Sequence, residues 1–103
     1  MVKLQYSKPA ITDLHNIFLY ISNDSVINAR RFAHALRERI KILKVHPEMG
    51  KPVFPQRFPN VKQVLYKSYR IIYKYKNEVV TILVITHQER LIENIEAIKQ
   101  YII

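Results

Sequence analysis

Apolar residues recur at two different periods along the chain, and the period separates strands from helices. From Val2 to Tyr6 apolar and polar residues alternate, which predicts a short first strand. Ser7 and Pro9 then indicate a helix start, because a serine side chain can accept an unpaired helix N–H and proline fits the first turn. Apolar residues follow at helical spacing, namely Ala10, Leu14, Ile17, Phe18 and Ile21.

A second, longer helix is predicted after a polar break at residues 22–25, with its start near Ser25 or Val26. The pair His46-Pro47 is expected to end it, because the residue before a proline disfavours helical backbone. The two helices should form an antiparallel hairpin whose shared apolar stripe packs into the core. On the second helix this stripe comprises Ala29, Phe32, Ala33, Leu36, Ile40 and Leu43.

Gly50, the only glycine among the 103 residues, follows the second helix. We expect it to supply a positive φ in the turn. A single glycine also argues against a glycine-rich loop that cradles phosphates. The segment from Val53 to Asn60 contains Pro55 and Pro59 and is expected to be irregular.

Three strands and a last helix are predicted in the second half of the chain. The strands span residues 61–66, 69–75 and 79–87, with tight turns at residues 67–68 and 77–78. The stretch from Val79 to Ile85 is apolar on both faces and should be the most buried strand. The last helix is predicted from about residue 91, with one apolar face formed by Leu91, Ile95, Ile98 and Ile102.

The predicted order is therefore β-α-α-β-β-β-α in one domain of residues 1–103. This order indicates an α+β fold, in which a small, mainly antiparallel sheet packs against a helical hairpin. The length suffices for one core and is too short for two.

Charge adds a functional expectation to this fold. The net charge is +9, and between Arg30 and Lys76 there are 13 Lys and Arg against two acids. Such a basic surface favours nucleic acid or an acidic protein as partner, while solubility alone is the plainer alternative. The chain has no cysteine, no apolar run that would span a membrane and no N-terminal signal pattern, so a cytoplasmic protein is expected.

The length of the last hairpin turn decides which side chains share a sheet face. If residues 77–78 form a two-residue turn, Lys76 pairs with Val79 and Arg70 with Ile85. A three-residue loop would reverse the faces of one strand. We adopt the shorter turn, because it places one apolar set wholly under the helices.

With the shorter turn, several basic side chains gather on the sheet face away from the helices. Arg70, Lys74 and His87 are expected there, with Lys62 and Arg90 as further members. Arginine and lysine could bind a phosphate, and His87 could act as a general acid or base. Alternatively, His87 is a strand-end histidine bonded to backbone. No His, Asp and Glu cluster has the spacing of metal ligands, so we expect neither a metal nor a cofactor.

The chain resembles the RelE/ParE superfamily of bacterial toxins from type II toxin–antitoxin systems, closer to its ParE branch. The resemblance covers nearly the whole length, and its fold agrees with the predicted order. It rests on Pro9, Ala10, Asp13, Leu14, Ile17, Ala29, Phe32, Leu36, Ile40, Leu43, Pro47, Gly50, Arg57, Tyr69, Arg70, Tyr73, Ile82, Leu83, His87 and Arg90.

The resemblance implies one of two activities. ParE-like members poison DNA gyrase, act in plasmid stabilisation and are not thought to cleave RNA. RelE-like members are ribosome-dependent mRNA endoribonucleases (mRNA interferases), and Arg70, His87 and Tyr73 would then be the catalytic residues. Some of these carry two alternating lysines on the preceding strand, where this chain has only Lys62, with Val64 in the other place. This departure favours a non-catalytic gyrase inhibitor.

The resemblance also implies partners and a binding surface. An acidic cognate antitoxin should wrap the toxin through an amphipathic helix or strand, in a toxin–antitoxin hetero-oligomer. The target, gyrase or else the ribosome with its mRNA, would be contacted by basic residues. The candidates for target or phosphate binding are Arg70, Lys62, Lys74, Arg90 and Arg57.

Overall fold

Two helices and five strands follow one another along the part of the chain that the structure describes. The structure is a computed structural model and describes residues 1–54, 56–92, 95, 96 and 98. The elements are β1 (Lys3–Tyr6), α1 (Lys8–Ser22), α2 (Val26–Lys41), a 3₁₀ helix (Ile42–Lys44), β2 (Lys51–Phe54), β3 (Phe58–Tyr66), β4 (Tyr69–Lys76) and β5 (Val79–His87). Neither helix in this part of the chain is long and apolar enough to cross a membrane.

The helix starts lie where the capping residues predict them. The Ser7 hydroxyl accepts a hydrogen bond from the Ala10 N–H at 3.2 Å, and the Ser25 hydroxyl accepts one from the Asn28 N–H at 3.1 Å. The end predicted for α2 at His46-Pro47 is wrong, since α2 ends at Lys41 and tightens into the 3₁₀ helix. Helix C-termini often tighten in this way because shorter-range bonds satisfy their last carbonyls.

The sheet has the strand order β1-β5-β4-β3-β2. β1 pairs in parallel with β5, and the other pairs are antiparallel, which confirms the predicted α+β class and the mainly antiparallel sheet. β2 was not predicted, because residues 53–60 were expected to be irregular. This expectation is wrong, since β2 pairs with β3 as an edge strand, where Pro52 is tolerated.

β1 is shorter than β5 and pairs only with its first residues, Val79 to Ile82. Residues at the start of α1 hydrogen-bond the backbone of β5 beyond that point. The Ser7 N–H donates to the Ile82 carbonyl, and the Ser7 hydroxyl donates to the Leu83 carbonyl, both at 2.9 Å. The carboxylate of Asp13 accepts the Ile85 N–H at 2.9 Å. Burial raises the pKa of Asp13, while this bond and the charge of Arg90 oppose the rise. The polar side of α1 therefore joins the helix layer to the sheet.

Two apolar clusters cover the two faces of the sheet. The cluster under the helices joins Leu36 and Ile40 of α2 to the inward residues of β3, β4 and β5. The cluster on the other face contains Val61, Ile72 and Val84, with Ile95 and Ile98 packed against them. The face away from the helices is therefore partly covered rather than open, as it was expected to be.

The predicted last helix lies mostly outside the described residues. Within them, the N–H of Ile95 donates to the carbonyl of Ile92, and the N–H of Ile98 donates to that of Ile95. Ile95 and Ile98 are buried, as the apolar face predicts. Leu91 is exposed, so its place on that face was wrong, and Ile92 packs against the cluster instead.

Gly50 is required by a close approach and not by its backbone angle. Among the described residues no glycine has a positive φ, so the prediction of a left-handed turn is wrong. A Cβ at Gly50 would lie 2.6 Å from the hydroxyl of Tyr73 and 2.8 Å from the carbonyl oxygen of Gln63. Only glycine leaves room for the Tyr73 hydroxyl beside the backbone.

The Tyr73 hydroxyl links the centre of the sheet to the segment after α2. It accepts the Gly50 N–H at 2.9 Å and donates to the Pro47 carbonyl at 2.8 Å, in a side chain with no exposed area. Tyr73→Phe should lower the free energy of unfolding by about 1–3 kcal/mol, because both backbone groups lose their partner in the interior. Urea unfolding measures the change.

The matched control for this variant is Tyr75→Phe, two residues along the same strand. Its hydroxyl makes no hydrogen bond within the described part of the chain, so we expect a change below about 0.5 kcal/mol. Equal effects of the two variants would contradict the bridging role of Tyr73.

Candidate functional site

The turn at residues 77–78 has the predicted length, but a β-bulge overturns the predicted faces. Lys76 pairs with Val79 as expected, and both turn residues have positive φ. Between the Ile72–Val84 and Tyr73–Ile82 pairs, however, β5 contains one extra residue, Leu83. Beyond this bulge every partner is shifted by one position.

The shift places Arg70 and His87 on opposite faces of the sheet. Arg70 lies opposite Thr86 instead of Ile85, and His87 lies opposite Tyr69. Because neighbouring side chains on a strand point to opposite faces, His87 belongs to the helix side and Arg70 to the other side. The predicted gathering of Arg70 and His87 on one open face is therefore wrong.

His87 lies at the exposed end of β5, against an aromatic ring. Its imidazole stacks on Tyr69 with the ring centroids 4.6 Å apart and the planes 28° apart. Tyr69 is buried, and its ring also contacts the ring of Phe32, with the centroids 5.5 Å apart. His87 thus remains accessible to a ligand. Its imidazole contacts the ring of Tyr69 and does not lie beside the guanidinium group of Arg70.

Arg70 is half-buried and bonded within the protein. Its Nη2 donates to the Gln88 carbonyl at 2.6 Å, and the side-chain amide of Gln88 donates to the Lys67 carbonyl, also at 2.6 Å. The Nε of Arg70 is buried and has no hydrogen-bond partner among the described residues. Gln88 therefore joins the end of β5 to the turn between β3 and β4, and Arg70 bonds it to β4.

Tyr73 lies too deep to transfer protons to a substrate. Its side chain is fully buried, and both bonds of its hydroxyl are to backbone. Burial raises the pKa of Tyr73, with the hydrogen bond from Gly50 opposing the rise. If the protein were an endoribonuclease, Tyr73 was expected to be catalytic, and this buried position does not fit that role.

The remaining basic candidates are distributed over the molecule. Lys74 shares the face of Arg70, whereas Lys62 pairs with Tyr73 and therefore points to the helix side. Arg57 lies over the ring of Phe58, with 5.4 Å between the guanidinium carbon and the ring centroid. Arg90 is near enough to Asp13 to lower the pKa of its carboxyl group. The five cations predicted to bind a target or a phosphate do not form one site.

A concave surface on the helical side of the molecule was not predicted. It is a groove of about 660 Å³ between α1, α2 and β1, which we call the hairpin groove. Apolar side chains from all three elements line it, and no acidic side chain does among the described residues. The lining residues are Leu4, Tyr6, Ile11, Leu14, His15, Phe18, Arg30, Ala33, His34, Arg37 and Lys41.

One wall of the hairpin groove is a row of basic residues on α2. Arg30, His34, Arg37 and Lys41 are spaced by four, three and four residues, so they project from one side of the helix. Glu38 bonds Lys41 at 3.1 Å and lies 3.9 Å from His34. Arg30 and Arg37 form no ion pair within the described residues. This helical spacing of cations is visible in the sequence, although it does not show that this side of α2 borders a groove.

The bond from Arg70 to Gln88 leads to a test of its structural role. Arg70→Lys should lower the free energy of unfolding by about 1–3 kcal/mol, because a charge-assisted bond is lost in a partly buried place. Lys74→Gln, on the same face and strand, should change it by less than about 0.5 kcal/mol. Urea unfolding of both variants compares them, and an unchanged Arg70→Lys would indicate a guanidinium group free for a target.

The fold and much of the sequence match known toxins. A family model described as ParE toxin of the type II toxin–antitoxin system parDE matches residues 4–92. No match is found among curated protein sequences.

Three solved structures share the fold at under 25% sequence identity. The chromosomal ParDE toxin–antitoxin system of P. aeruginosa has a TM-score of 0.71 at 21% identity, covering 86% of this chain and 98% of that one. The RelBE2 toxin–antitoxin complex of Mycobacterium tuberculosis has a TM-score of 0.62 at 22% identity, covering 84% of this chain and 98% of that one. A double mutant of the free E. coli toxin RelE has a TM-score of 0.64 at 15% identity, covering 98% of this chain and 94% of that one. Because the family model spans most of its sequence, this chain belongs to the ParE toxins of type II toxin–antitoxin systems.

Proposed function

We propose that this toxin arrests growth as a non-catalytic inhibitor that binds DNA gyrase. The observation that carries the proposal is the separation of Arg70 from His87, in a chain whose sequence matches the ParE family from residue 4 to residue 92. A ribonuclease needs its phosphate-binding cation and its proton-transfer group within reach of one scissile bond. Here the two candidates lie on opposite faces of a sheet.

The bonding of the three catalytic candidates supports the same choice. Arg70 donates to the Gln88 carbonyl, and Tyr73 is buried and bonded to backbone. His87 is the single candidate of the three with an exposed side chain. Its accessibility is the observation that favours the alternative function, a RelE-like, metal-independent endoribonuclease that cleaves mRNA on the ribosome.

We further propose that the hairpin groove holds the neutralising antitoxin. Its apolar floor would be covered by an amphipathic segment, and its basic wall selects an acidic one. The ParDE and RelBE2 structures with this fold are toxin–antitoxin systems, which supports a hetero-oligomer of the same kind. The excess of positive charge over the whole chain would speed the encounter with an acidic partner.

A charge reversal in the groove wall tests this partner. Arg37→Glu should weaken binding of the cognate antitoxin by at least about tenfold, because an acidic segment would then meet a like charge. Growth should still be arrested by the variant, while co-expressed antitoxin no longer restores it. Calorimetric titration measures the affinity. Lys76→Glu, an equal charge change at the end of β4, is the control, and equal losses in both variants would contradict the assignment.

Two parallel assays distinguish the proposed target from the alternative. The purified toxin should inhibit supercoiling by gyrase and leave mRNA intact on translating ribosomes. His87→Ala should retain the inhibition, since no proton transfer is involved. Cleavage of mRNA at the ribosomal A site that is lost in both Arg70→Ala and His87→Ala would instead establish the nuclease.

A further inference from the structure

A second, smaller cleft lies on the other side of α2 from the hairpin groove. It has a volume of about 370 Å³ and lies between α2, the end of α1 and the turn that joins β3 to β4. We call it the turn cleft. Its lining residues are Ile21, Asn28, Arg31, Phe32, Ala35, Tyr66 and Lys67.

The helical positions separate this cleft from the hairpin groove. Asn28, Arg31 and Ala35 project from one side of α2, while Arg30 and Arg37 project from the other. The buried stripe of Ala29, Leu36 and Ile40 lies between the two sets. A partner in the hairpin groove therefore leaves the turn cleft accessible.

The turn cleft combines cations with aromatic rings. Arg31 and Lys67 line it, and no acidic side chain does among the described residues. The ammonium group of Lys67 lies 5.9 Å from the centroid of the Tyr66 ring. An arginine fork and an ammonium point charge suit a phosphate, and a ring face suits a planar base.

Lys67 occupies a backbone conformation that a lysine disfavours. It has a φ of 53° at the first position of the two-residue turn, where glycine is the usual residue. Side chains held in such conformations cluster at ligand-binding sites. The turn thus has a lysine where glycine would fit the backbone better, and this lysine lines the cleft.

A row of aromatic rings leads from the cleft to the exposed end of the sheet. Phe32 contacts Tyr66 at 5.9 Å and Tyr69 at 5.5 Å between ring centroids, and His87 stacks on Tyr69. At one end of the row Tyr66 lines the cleft, and at the other end His87 is exposed.

We propose that the turn cleft binds a nucleoside phosphate, either free or as a unit of a single strand. The phosphate lies between Arg31 and Lys67, and the base lies against Tyr66. An acidic peptide would satisfy the charge but would leave the ring surface unused, and the cleft is small for a protein segment. The proposal does not depend on gyrase as the target, since it rests on the residues of the turn cleft alone.

Titration by NMR with simple probes tests the ligand class. Guanosine monophosphate should shift the backbone amide signals of Arg31, Tyr66 and Lys67 in a saturable way. Guanosine and inorganic phosphate should each bind at least about tenfold more weakly, because each engages half of the site. Polyglutamate that binds as tightly as the nucleotide, or guanosine monophosphate that causes no saturable shift, would overturn the proposal.

A single-stranded pentanucleotide identifies the source of the ligand. Binding at least about tenfold tighter than that of guanosine monophosphate supports a strand that uses the aromatic row. Equal affinities support a free nucleotide. Both results retain the shared chemistry of base and phosphate.

Substitutions separate binding from folding. Lys67→Gly should raise the melting temperature, because glycine tolerates the positive φ. The same variant should bind guanosine monophosphate at least about fivefold more weakly, because it lacks the ammonium group. Arg31→Gln should weaken the binding of guanosine monophosphate by a similar factor and leave the melting temperature unchanged. Lys76→Gln removes the same charge at a distant turn and should change neither. A stabilised Lys67→Gly that binds the nucleotide undiminished would show that Lys67 has no binding role and overturn the proposal.

Discussion

One extra residue in β5 determines how the two faces of this toxin are built. Leu83 has no partner in β4, so every pair from Ile72 outward to Tyr69 is shifted by one position. The shift places Ile85 under the helices and Val84 in the opposite cluster. α1 supports this irregular strand, since Ser7 bonds the Leu83 carbonyl and Asp13 bonds the Ile85 N–H. Without these bonds, the β5 edge beyond the short β1 would leave polar backbone groups without partners.

The same residue changes the functional reading of the sheet. A uniform register would place an arginine and a histidine side by side, as a small nuclease requires. The bulge instead directs Arg70 to the Gln88 carbonyl and His87 to the ring of Tyr69. Two residues with the chemistry of a catalytic pair thereby lie on opposite faces of the sheet near the end of the strands. The two concave surfaces described above lie instead on the helical side of the sheet.

α2 divides that helical side into two basic surfaces with different character. The hairpin groove is the larger of the two and has an apolar floor with arginines along one wall, which suits an acidic amphipathic segment. The turn cleft is smaller and places Arg31 and Lys67 beside aromatic rings, which suits a phosphate attached to a base. The buried stripe of α2 keeps the two apart, so the neutralising partner and a small ligand would not compete for space. Part of the positive charge of the chain is thus placed on these two surfaces.

Much of the architecture follows from local patterns. The serine caps, the helical periodicity and the alternation in the strands predict the two helices, four of the five strands and the hairpin at residues 77–78, because each depends on residues near one another in the sequence. β2 was missed because Pro55 and Pro59 suggest an irregular segment and Pro52 lies within the strand itself, whereas a place at the sheet edge tolerates Pro52. The basic wall of the hairpin groove was present in the spacing of Arg30, His34, Arg37 and Lys41, but spacing alone does not indicate which side of a helix is left uncovered.

The sequence by itself determined the α+β class, the order of its predicted elements and the basic character of the surface. Only the tertiary structure decided which residues meet: the bulge at Leu83, the approach of the Tyr73 hydroxyl to Gly50, and the separation of Arg70 from His87. The physical reason is that periodicity specifies a face only while the register is unbroken. A single inserted residue reverses every later face, and whether it is inserted depends on how distant elements pack and bond across the sheet.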